Sequence, residues 1–148
     1  MLERNDGKLQ HFLSNLVSSK HPQLMEMLTE DAVMEFPYHL PTTPTQLVGK
    51  QEIVKYFAGI GNLMTFDEFR LVAAHQTINP DAAVLEYEGT GKAVQTGRCY
   101  QQKYITVLIF RDGRISHWKD YWNPISVLNA IGESQLEPNQ GSRNAGEK

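Results

Sequence analysis

Cysteine is almost missing from this chain of 148 residues. Cys99 is the only one, so no intramolecular disulfide can form and a reducing, cytoplasmic setting is the expectation. No apolar run approaches the roughly 20 residues that a membrane-spanning helix needs. Met1 to Asp6 is polar with charges of both signs, unlike the apolar core of a secretory signal. Positive charge is also in short supply. Fourteen Lys and Arg stand against 17 Asp and Glu, for a net charge of -3, and the basic residues are scattered singly. A nucleic-acid partner would want them clustered, so none is expected. The five histidines show no H-x-x-H or H-E-x-x-H spacing, and there is no cysteine cluster; no metal is expected. There is no G-x-G-x-x-G and no P-loop, so no cofactor is expected, and no G-x-S-x-G elbow for a serine nucleophile. Cys99 has no activating neighbour beyond Arg98.

What remains is an ordinary globular composition, 41% hydrophobic and 21% charged. It fits one domain over residues 1–133, followed by a polar tail over 134–148 that reads as disordered. Leu9, Phe12, Leu13, Leu16 and Val17 mark one face of a first helix. Pro22 suits the first turn of a second, shorter helix with Leu24, Met27 and Leu28 on one side. Ala32 to Phe36 reads as a short strand. Pro37 to Val48, with three prolines, reads as a loop. Lys50 to Ile60 is a third helix with Ile53, Tyr56, Phe57 and Ile60 inward. Strands follow: one through Phe69, one over Ala82 to Tyr87, one over Tyr100 to Phe110 and one over Ile115 to Trp122. Asn79-Pro80-Asp81 is a turn, and Asp112-Gly113 is the core of a hairpin. Gly89 and Gly91 suggest a bulge or bend. Pro124 to Ile131 reads as a short terminal helix. Helices first and a strand meander after is an α+β order. One sheet face would pack on helices, leaving the other exposed or paired with a second subunit.

Two separated passages carry a resemblance. Tyr104 to Pro124, YITVLIFRDGRISHWKDYWNP, resembles the final hairpin of the nuclear transport factor 2-like superfamily, and more closely that of SnoaL-like and ketosteroid-isomerase-related proteins. Leu28 to Tyr38, LTEDAVMEFPY, followed by Leu47 to Glu52, is similar to an earlier passage of the same family. The resemblance spans about Leu9 to Ile131. It implies a cone-shaped α+β barrel, with three N-terminal helices packed on a strongly curved, mostly antiparallel sheet. It also implies a homodimer through the outer sheet face. Laid on the isomerase pattern, Phe36 falls at the general base, Thr106 at the oxyanion-hole aspartate and Phe12 at the oxyanion-hole tyrosine. None of the three carries the needed group. Ketosteroid isomerisation is therefore not expected.

Strand parity then proposes pocket residues. If Thr106 faces in, so do Tyr100, Gln102, Tyr104, Leu108 and Phe110. The family register turns Trp118, Asp120 and Trp122 inward. That places one carboxylate between two indoles, where burial would raise its pKa and suit it to acid–base work. The bland alternative is an Asp120 at the mouth, paired with a cation or a tyrosine hydroxyl. Glu86 is a second catalytic candidate if it points inward with Val84; the opposite parity would put Tyr87 inward and both Glu86 and Glu88 in solvent. His39 is a third, at the pocket lip or merely exposed on its loop. His75 could meet a ligand or only a neighbour, His117 faces out, and His11 and His21 read as surface. Phe12, Phe36, Tyr56, Tyr104, Thr106, Leu108, Trp118 and Trp122 are the expected ligand contacts, and Phe57 reads as packed core. The expected function is binding of a small hydrophobic, cyclic metabolite, with cofactor-independent isomerase, cyclase, dehydratase or hydrolase chemistry. The alternatives are a non-catalytic binding module and a dimeric interaction module.

Overall fold

A computed structural model of the chain describes Phe12 and residues 21–132. Its elements run α1 (His21–Met27), β1 (Leu28–Glu35), β2 (Gln46–Val48), α2 (Lys50–Ile60), β3 (Met64–Gln76), β4 (Ala82–Ala93), β5 (Cys99–Arg111), β6 (Arg114–Tyr121) and α3 (Pro124–Ile131). The six strands form one sheet in the order β2-β1-β6-β5-β4-β3. Every neighbouring pair is antiparallel except β1 with β6, which is parallel. The α+β class and the mostly antiparallel sheet therefore stand.

Local chemistry explains most of the turns. Asp112 at φ 54° and Gly113 at φ 81° build the tight β5–β6 hairpin. Both sit in the left-handed region, which Gly adopts freely and Asp tolerates. Asn123 caps α3 by accepting a hydrogen bond from the Ile125 N–H at 3.0 Å, with Pro124 in the first turn. The core gathers Leu28 and Met34 of β1, Leu85 of β4, Leu108 of β5, and Ile115 and Trp118 of β6. Against them pack Phe12, a helical residue, with Leu24 of α1 and Ile53 of α2.

Several expectations need correction. The three N-terminal helices are not matched as a block. The first falls outside the described residues except for Phe12, and β1 and β2 lie between α1 and α2. Among the described residues strand dominates, with six strands where the sequence reading has five. Leu28, expected on a helix face, opens β1, because its side chain belongs to the core face that Met34 continues. The proline-rich loop contains the three-residue β2, which pairs Val33 with Val48 and Glu35 with Gln46. In the β3–β4 pair the register shifts fall at Asp67 and Val72 of β3, not on β4. Gly91 serves closeness instead: a Cβ there would lie 2.0 Å from the Thr65 carbonyl oxygen. The expected tail over 134–148 lies outside the described residues.

Candidate functional site

Three neighbouring strands bring the chemistry together. Register sets Leu85 beside Thr106, Tyr87 beside Tyr104, Thr106 beside Asp120 and Leu108 beside Trp118. Residues of one parity on β4, β5 and β6 therefore share the inner face. Asp120 is 7% exposed there. Its Oδ1 accepts a hydrogen bond from the Thr106 hydroxyl at 2.9 Å and a longer one from the Tyr87 hydroxyl at 3.4 Å. The Tyr87 and Thr106 oxygens are themselves 3.0 Å apart. A hydroxyl chain from Tyr87 through Thr106 thus ends on Oδ1. Oδ2 has no hydrogen-bond partner among the described residues.

Burial pushes the Asp120 carboxyl up to about 6, although the Thr106 and Tyr87 hydroxyls, and the nearby Trp118 indole, pull the other way. The Trp118 Nε1–H is buried and makes no formed hydrogen bond, so its pull on Asp120 is one of proximity. Burial also raises the hydroxyls of Tyr56, Tyr87 and Tyr104, and that of Tyr100 to about 12. All four are therefore neutral donors near neutrality.

Asp120 opens onto a cavity of about 340 Å³. Tyr56, Phe57 and Ile60 of α2 form one wall. Tyr87, Tyr104, Trp118 and Trp122 form another, with Tyr87 and Tyr104 stacked at 4.8 Å. Phe66 and Phe69 of β3, and Val127 and Ile131 of α3, complete it. Leu40 and Thr43 reach it from the proline-rich loop, where the Thr43 hydroxyl accepts from the Leu40 N–H at 2.8 Å and holds a turn. Gln102 clasps the far corner. Its amide donates to the Asn123 carbonyl and accepts from the Asn123 N–H, both at 2.9 Å. That clasp ties β5 to the junction between Trp122, which lines the cavity, and the start of α3.

No Lys, Arg or His is among the described residues lining the cavity. Cations instead pair with acids on the surface: Lys50 with Glu30, Arg70 with Glu88, and Arg111 with Asp31. The described residues also contain no group of three His, Cys, Asp or Glu suited to a metal ion.

The sequence-derived candidates separate into three groups. Asp120, Tyr56, Tyr104, Trp118 and Trp122 line the cavity together. Phe12, Phe36, Thr106 and Leu108 are buried but do not line it. Phe12 packs edge-on against Trp118 at 4.9 Å and Phe36 tilts on Tyr56 at 5.2 Å, so both support the wall from behind. Thr106 acts on Asp120. The third group is misplaced. Glu86 faces outward, half-exposed, and its carboxylate meets the His75 ring 2.6 Å away, because Ala83, Leu85 and Tyr87 take the inner face of β4. His39 is exposed, with its ring nitrogen 3.2 Å from the Leu40 carbonyl, because its loop turns Leu40 inward instead. Phe57, read as plain core, lines the cavity and stacks on Trp118 at 5.4 Å.

Tyr87, which the sequence left as the alternative to Glu86 on the inner face, is the one that lines the cavity. Its signal was present in the apolar series Ala83, Leu85, Tyr87, set against a series holding two glutamates.

The SnoaL-like domain family matches residues 9–118. The uncharacterized protein YesE of Bacillus subtilis is 30% identical over 135 residues, covering 91% of this chain and 92% of that one. The uncharacterized PhzA/B-like protein PA3332 of Pseudomonas aeruginosa is 35% identical over 107 residues, 72% of this chain and 75% of its own. A crystallised isomerase candidate from Bacillus subtilis superposes with a TM-score of 0.84 at 30% identity, covering 91% of this chain and 97% of that one.

Proposed function

This chain belongs to the SnoaL-like family, and on that premise we propose that its cavity takes up a small, mostly apolar, cyclic molecule and that Asp120 moves a proton on it. The observation that carries this reading is a carboxylate without a cation inside an aromatic cavity, tied at one oxygen and open at the other. A cavity of this size is within the usual range for small ligands. Thr106 and Tyr87 hold Oδ1, so Oδ2 is the oxygen that meets the ligand. A carboxyl that titrates near 6 can take a proton from carbon and return it elsewhere on the same molecule. Such a transfer serves an isomerisation, cyclisation or dehydration and consumes no second reagent. The positions that would carry ketosteroid-isomerase groups hold Phe12, Phe36 and Thr106, which favours chemistry other than ketosteroid isomerisation.

The experiment is deuterium incorporation from heavy water into small cyclic compounds incubated with the protein. Asp120→Asn is expected to abolish incorporation while leaving the fold and binding in place. Undiminished incorporation would remove Asp120 from the role. Because those same three positions are non-acidic, a pure binding module is the second reading; tight uptake without any proton exchange supports it. The proposal also includes pairing of two copies through the outer sheet face, where Val72 and Ile105 are 50% and 45% exposed.

A further inference from the structure

One end of the molecule carries no acidic side chain among the described residues. There the turn after α2 leads through Leu63 into β3, β4 turns into β5 over residues 94–98, and α3 ends at Ile131. Three hydrogen bonds join these pieces. The Val94 N–H donates to the Leu63 carbonyl at 2.8 Å, the Thr96 hydroxyl to the Ala130 carbonyl at 2.6 Å, and the Arg98 guanidinium to the Asn129 carbonyl at 3.2 Å. Residues 57–66, 89–100 and 121–132 hold Lys92 and Arg98 but no Asp or Glu, in a chain whose net charge is -3. Neither cation has an ion-pair partner among the described residues, whereas Lys50, Arg70 and Arg111 each have one. Beside them Leu63 and Val94, both on turns, are 49% and 54% exposed. Leu63 also lines the cavity with Ile60 and Ile131, so the cavity meets solvent at this rim.

We propose that this rim docks reversibly on an anionic lipid surface, with Leu63 and Val94 entering the boundary with the acyl chains and Lys92 and Arg98 lying against the headgroups. Apolar side chains flanked by cations are what such a surface holds. The acid-free end lets a net-negative chain approach it end-on. Two turn tips suit a soft bilayer, whereas a protein partner would want a flatter face of roughly 800 Å². No helix of the described residues is long and apolar enough to cross a membrane, so the contact is with the surface. The exposed Val72, by contrast, lies near the Arg70–Glu88 pair, where a carboxylate faces whatever approaches. A small apolar molecule partitions into bilayers. A cavity mouth pressed on one receives that molecule without passing it through water. This delivery rests on the reading of the cavity given above, and the docking does not.

Co-sedimentation of the full chain with vesicles tests this, using equal parts phosphatidylcholine and phosphatidylglycerol in one set and phosphatidylcholine alone in the other. Wild type is expected to bind the mixed vesicles in the millimolar lipid range and the neutral ones about 30-fold more weakly, with the difference lost at about 0.5 M salt. Lys92→Gln with Arg98→Gln is expected to weaken binding to the mixed vesicles by about 30-fold. Lys92→Gln alone leaves the Arg98 bond to α3 intact and should cost about fivefold. Val94→Ser should cost about fivefold on both kinds of vesicle. A nitrobenzoxadiazole label on Cys99, exposed beside Arg98 and the chain's only cysteine, should shift to the blue with mixed vesicles. Equal binding to both kinds of vesicle overturns the role of the cations and with it the proposal. Arg111→Gln, at the opposite end of β5, should change nothing; a loss there matching that of the rim pair overturns the rim. Rim-dependent binding to polyglutamate with none to vesicles overturns the lipid in favour of an acidic protein. No binding of wild type to mixed vesicles at low salt overturns the docking and leaves the cavity reading, which ligand uptake in solution tests separately.

Discussion

An ionised carboxylate among aromatic rings has lost its water, and Asp120 recovers only part of that loss from two hydroxyls. The consequence is measurable in stability. The folded chain keeps the Asp120 proton up to about pH 6, while the unfolded chain releases it near 3.8. Between those values the folded state binds more protons, so this group's contribution falls as pH rises through the window and then levels off. The full drop is roughly 3 kcal/mol. Asp120→Asn is therefore expected to be more stable than wild type at pH 7, by about 1–3 kcal/mol, with the gap closing towards pH 4. Urea denaturation across that range measures it; a pH-independent gap contradicts the burial argument. Thr106→Val removes the stronger donor to Oδ1. It should raise the carboxyl further, visible in carbon NMR of the side chain and as an upward shift of the acid limb of the activity profile, since the ionised carboxylate is the form that takes the proton. At this scale the sequence showed much of the site. The family resemblance turned Trp118, Asp120 and Trp122 inward, and all three line the cavity. β4 was harder, because both of its faces carry apolar residues, Val84 on one and Leu85 on the other. An outer face that is itself partly apolar removes the polar contrast that parity arguments need.

Elements differ in how strongly their own residues dictate them. α2 was legible to the residue, since its inward positions repeat at helical spacing across Lys50–Ile60. The hairpin at Asp112-Gly113 was legible because few residues accept its backbone angles. β2 was not, because three residues in a stretch of Pro and Thr gain their structure from pairing with β1. The β3–β4 ribbon shows the same dependence. Its strands approach so closely at Gly91 that an added methyl would meet backbone, which cannot rotate away. Gly91→Ala is expected to cost at least about 2 kcal/mol, measured by urea denaturation. Gly89→Ala should cost less, since its nearest contact is the Phe69 ring, 2.6 Å from the added carbon, and a side chain can shift. Equal losses would contradict this account of the glycines.

For the molecule as a whole, the α+β order was readable from the chain and the parallel pairing of β1 with β6 was not. The outer face sets apolar Val72 and Ile105 among ion pairs such as Arg70 with Glu88. We propose that this face pairs two copies, and Ile105→Glu is expected to convert a dimer to a monomer in sedimentation velocity without changing the fold. A wild-type protein that sediments as a monomer at high concentration ends that proposal. The parallel pairing of β1 with β6 has a different outcome. It joins Leu28 to Ile115 and Met34 to Trp118, strands from nearly opposite ends of the described chain. Such a seam cannot zip from a neighbouring turn and carries a large loop-closure entropy. During synthesis β1 must wait for almost everything after it to emerge, and the indole of Trp118 reaches its place only when that late junction forms. Tryptophan fluorescence should thus report the last stage of refolding, and competence to hold a ligand should arrive with it.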